Sequence, residues 1–88
     1  MIMYNYQEQR HKVFLEENQE RFIKIRENVH SMLDSSGAFI LENAIIGTGD
    51  SFIGIACVDR LVEMGEIVEI PNPTRHRSQN KVFVRGRH

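Results

Sequence analysis

Val58-Asp59-Arg60-Leu61-Val62-Glu63-Met64-Gly65-Glu66-Ile67 is the stretch that decides the fold. It reads as the end of a helix that stops at Gly65 and passes directly into a strand. A glycine just past a helix end takes the left-handed conformation without a Cβ clash, so the chain can reverse there. Ile67 and Val68 open the strand, and the turn-rich Pro71-Asn72-Pro73-Thr74 leads into a long hairpin tip. The return strand, Lys81-Val82-Phe83-Val84-Arg85, alternates, with Val82 and Val84 on one face and Lys81, Phe83 and Arg85 on the other.

Working back from that stretch, Gly47-Thr48-Gly49 breaks any helical pattern, and Asp50 or Ser51 is a good N-cap for a helix running to Met64. Leu41 to Ile46 reads as a short helix, and Ala38-Phe39-Ile40 as a short strand. From Gln7 to Leu33 there is no Gly or Pro. Leu15, Phe22, Ile25, Val29 and Met32 make one apolar stripe, which predicts a single helix of about 25 residues, or about 37 Å. Such a helix is longer than the domain needs. Its N-terminal half, with Tyr4, Tyr6, Val13 and Phe14, either folds back over the domain's own core or projects to meet a second subunit. Projection is favoured, because the apolar residues at the extreme N-terminus also need cover. Residues 1–19 are therefore expected to be an arm and homodimerisation element of one domain spanning 1–88.

Eighty-eight residues fit one small domain, and 41% hydrophobic with 26% charged residues is ordinary for a globular chain. The net charge of −1 hides a strong segregation. Residues 1–69 hold all 12 acidic groups against six Lys/Arg, whereas residues 70–88 hold Arg75, Arg77, Lys81, Arg85 and Arg87 and no acid. One end of the molecule is thus suited to an anionic surface. Cys57 is the only cysteine, which excludes an intrachain disulfide, and its apolar neighbours predict a buried, inert thiol. There is no signal-peptide pattern and no apolar run of membrane-spanning length, so a soluble, cytoplasmic protein is expected.

From about residue 20 to residue 85, the helix, short strand, two helices and terminal hairpin resemble the winged helix-turn-helix superfamily. Val58 to Ile67 is similar to the recognition-helix end of MarR-type regulators. The resemblance implies an α+β fold in which the third helix enters the major groove of duplex DNA and the hairpin, or wing, meets the backbone or minor groove. Other members of the superfamily bind proteins, so function has to be argued from the residues.

On a helical wheel Gly54, Cys57, Val58, Leu61 and Gly65 form the inward face of the third helix, and Phe52, Ile55, Ala56, Asp59 and Glu63 the outward one. Base edges are read by Arg, Lys, Asn, Gln, Ser or Thr, and this face offers apolar groups and two carboxylates instead. Only Ser51 and Arg60, at its margins, suit DNA. The hairpin is the opposite case: Arg75, Arg77, Lys81, Arg85 and Arg87 can neutralise phosphates, with Ser78, Gln79 and Asn80 as hydrogen-bond donors.

Two functions follow. The first is a small DNA-binding regulator, acting as a dimer and contacting double-stranded DNA through the hairpin, with Ser51 and Arg60 supplying what the helix can. The second is a protein-interaction module docking a partner on Phe52, Ile55 and Asp59. Catalysis is not expected: no Ser/His/Asp or Cys/His constellation is present, so no catalytic residue is assigned. His11, His30, His76 and His88 lack metal-ligand spacing, so no metal or other cofactor is expected. Gly47-Thr48-Gly49-Asp50-Ser51 lacks the Gly-Lys-Ser/Thr ending of a phosphate loop, and Asp50 would repel an anion at the helix start.

Overall fold

Ile25, Val29 and Leu33, four residues apart, form the buried stripe of the longest helix, α2 (Gln19–Ser36), in the computed structural model, which describes residues 3–70 and 81–86. The helix ends where Gly37, at φ 78°, donates its N–H to the carbonyl of Leu33. Strand β1 (Ala38–Ile40) and the one-turn helix α3 (Leu41–Ile45) follow, then α4 (Ser51–Glu63), β2 (Ile67–Ile70) and β3 (Val82–Arg85). The Asp50 carboxylate caps α4, accepting from the N–H groups of Phe52 and Ile53. The boundaries of α3, α4 and the strands lie within a residue or so of those predicted.

The sheet is antiparallel throughout, in the order β1-β3-β2, so the first strand pairs with the last. Phe39 pairs across from Phe83, and their rings stack at 5.3 Å on the face turned to the helices. Ile67 is fully buried beside them, and Leu61, Val58 and Cys57 of α4 complete the core with the α2 stripe. The chain is an α+β domain with a helical layer on one face of a three-stranded sheet.

One predicted element is wrong. The long N-terminal helix is broken: α1 (Tyr6–Val13) ends at Phe14, Leu15 is extended (φ −69°, ψ 139°), and a single 3₁₀ turn, Glu16–Asn18, leads into α2. Side-chain amides do what a glycine or proline does elsewhere. Asn18 Nδ2 donates to the carbonyl of Lys12, and Gln19 Nε2 to that of Val13, satisfying acceptors that a continuous helix would have bonded itself. The break lets α1 fold back along α4 and bury Val13, with Tyr4 and Tyr6 packed against the core. The arm therefore covers the chain's own fourth helix rather than projecting, and Leu15 leaves the α2 stripe for the surface.

Candidate functional site

Helix α4 and the hairpin are the elements from which a binding face was expected. Of the predicted inward side of α4, Gly54, Cys57, Val58 and Leu61 are buried, while Gly65 lies past the helix end and is half-buried. Burial also pushes the Cys57 thiol up to about 11, so it is an inert core group at neutral pH.

The outward side of α4 is not a free surface. Ala56 is fully buried, and Phe52, Ile55 and Asp59 are half-buried. The Tyr4 ring meets that of Phe52 edge-on at 5.6 Å, and its hydroxyl donates to Asp59 Oδ2 at 2.6 Å. One turn further on, Glu63 accepts from the Tyr6 hydroxyl at 3.0 Å and from Arg10 Nε at 2.9 and 3.0 Å. The Phe14 ring closes the seam, with the guanidinium groups of Arg10 and Arg60 each 5.0 Å from its centroid. Residues 4–14 thus cover the face on which Phe52, Ile55 and Asp59 were expected to receive a partner.

The electrostatics of the seam follow from this geometry. Burial, and then the hydrogen bond to Asp59, raises the Tyr4 hydroxyl far above its ordinary value. Burial and Glu63 push Tyr6 up to about 12. Hydrogen bonds from Arg10 and Arg60 hold the Glu63 carboxyl down at about 2. Asp59 goes the other way: burial raises it, opposed by the Tyr4 hydrogen bond and by Lys81.

Among the described residues, those predicted to touch DNA are not gathered at one place. Ser51 is exposed at the first turn of α4. Arg60 lies on the α1–α4 seam, bonded to Glu63 at 2.8 Å. Lys81 stands 3.9 Å from Glu69, and Arg85, at the far end of β3, reaches Asp34 at 2.8 Å. Arg75, Arg77 and Arg87 lie outside the described residues. Among the described residues, no group of three or more His, Cys, Asp or Glu side chains is placed to hold a metal ion.

Two features escaped the sequence reading. Tyr4–Asp59 and Tyr6–Glu63 join residues more than fifty positions apart, and no local spacing signals them. The second is the outer face of the sheet. The register places Ala38, Val84 and Val68 in one row and Ile40, Val82 and Ile70 in the next, all on the side away from the core phenylalanines. Ile40, Val68 and Ile70 are 37%, 44% and 42% exposed. Alternation along β3 hinted at this face, but the three-strand register makes it a patch.

No family model, curated protein or solved structure matches the chain. Among the described residues, no helix is long and apolar enough to cross a membrane.

Proposed function

We propose that the chain is a winged-helix domain that binds duplex DNA through its basic hairpin, while α4 stays covered by the N-terminal arm. The order α2-β1-α3-α4-β2-β3, with the first strand beside the last, supports the winged-helix reading. The observation that carries the function is charge segregation: every Lys or Arg after residue 69 lies on β3, on the β2–β3 connection or just beyond β3, with no acid among them. Contacts of this kind go to phosphates. They supply affinity that falls steeply with salt and carry little base preference. Arg60, expected to reach DNA, is assigned instead to holding α1 in place.

The test is fluorescence anisotropy with a random-sequence duplex from low to physiological salt. The wild type binds at low salt with a steep salt dependence. An Arg75→Ala/Arg77→Ala/Lys81→Ala variant loses both affinity and slope, and Ser51→Ala leaves both unchanged. Absence of binding at low salt overturns the proposal.

One observation favours a second reading, a protein-docking module. The aliphatic outer face of the sheet is exposed, whereas the α4 face first considered for docking is occupied by the chain itself. Exposed contiguous apolar surface marks interaction sites in soluble proteins. If the protein is a homodimer, this face takes the place of the projecting helix.

A further inference from the structure

Arg21 differs from every other described arginine. Arg10, Arg26, Arg60 and Arg85 each hold a carboxylate within 3 Å, whereas among the described residues Arg21 makes no ion pair. Its guanidinium is nevertheless well positioned. Nη1 donates to Asn18 Oδ1 at 3.0 Å, and Asn18 is itself 4% exposed and anchored to the Lys12 carbonyl. The group lies over Gly49, where a Cβ would stand 2.9 Å from Nη2, so the missing side chain leaves it room. A half-buried guanidinium braced on a buried amide, with no other hydrogen bond among the described residues, is a preset donor group for an anion.

A cavity of about 380 Å³ opens at this group, in the elbow between α1 and α2. That is within the roughly 300–1,000 Å³ typical of small-molecule clefts. His11 and Lys12 bring further positive or hydrogen-bonding character to one wall, and Leu15 and Ile53 line it with aliphatic surface. Glu17, also on the wall, disfavours a multiply charged ligand. The extended Leu15 that breaks the N-terminal helix is the residue that exposes this aliphatic surface, so the break itself builds the site.

We infer that this elbow cavity binds a small organic monocarboxylate, with its carboxylate on Arg21 and its apolar body against Leu15 and Ile53. The inference does not depend on the DNA reading, and the two tests fail separately.

The experiment is an NMR titration of the full ¹⁵N-labelled chain with hexanoate, with hexan-1-ol as the uncharged counterpart and inorganic phosphate as the anion without an apolar body. Hexanoate is expected to give saturable shifts at residues 11–21 and at Ile53. Hexanol, which lacks the charge-assisted hydrogen bond, and phosphate, which lacks the buried apolar body, are each expected to bind at least about tenfold more weakly. Arg21→Gln should weaken hexanoate by a similar factor. The neutral ligand makes the charge test without a mutation, should that variant fold poorly. Shifts that do not saturate, equal binding of hexanol or phosphate, or an unaffected Arg21→Gln protein would each overturn the site.

Discussion

Tyr4 shows how much one side chain can fix. Its ring covers Phe52 while its hydroxyl satisfies Asp59, a half-buried carboxylate that burial has already pushed upward. Removing the hydroxyl leaves that carboxylate without its donor in a partly desolvated place. Tyr4→Phe is therefore expected to cost about 1–2 kcal/mol, read from the midpoint of urea unfolding at pH 7. The loss should shrink when Asp59→Asn is added, because the pair acts as a unit. The seam also sets a pH window. Glu63, lowered from 4.5 to about 2, contributes stability that is complete above pH 4.5 and lost as pH falls toward 2. The tyrosines, raised above 10, contribute stability that is complete below pH 10 and lost as pH rises through their folded-state values.

At the scale of elements, the α4–β2 turn and the end of β3 approach each other closely. A Cβ on Gly86 would collide with the carbonyl oxygen of Gly65, and the Gly86 N–H donates to the Glu66 carbonyl at 2.8 Å. Glu66 in turn accepts from Arg26 and sits 3.0 Å from His30 Nε2, one turn apart on α2, so this corner ties sheet to helix. Gly86→Ala must push the strand away and is expected to cost about 3 kcal/mol, measured as a lowered Tm. Most elements were legible in the sequence because their signals are local: the cap at Asp50, the glycine at 65, and the alternation of Val82 to Val84. The elbow at Phe14–Leu15 was not. It contains no glycine or proline, and its cause is two amide side chains, Asn18 and Gln19, reaching back to carbonyls six residues away. The candidate site suffered accordingly. The α4 wheel picked out the core residues Gly54, Cys57, Val58 and Leu61 but put the fully buried Ala56 on the outer face, and nothing in it shows that residues 4–14 lie there.

At the scale of the whole molecule, the arm and α4 close on each other, while the aliphatic outer face of the sheet stays exposed. If the sheet face joins two copies, sedimentation velocity will show a concentration-dependent shift from monomer to dimer, and Val68→Lys/Ile70→Lys will abolish it. A mass that stays monomeric at all concentrations excludes that use of the face. The central claim, that the chain covers its own fourth helix, can be tested with its own chromophores. It has two tyrosines and no tryptophan, so phenolate absorbance reports Tyr4 and Tyr6 alone. The measurement is a spectrophotometric titration at 295 nm. The closed arrangement predicts that neither tyrosine titrates near 10, with Tyr6 following at about 12 and Tyr4 only above it, as the fold opens. Both tyrosines titrating together near 10 would show the arm free in solution and α4 uncovered.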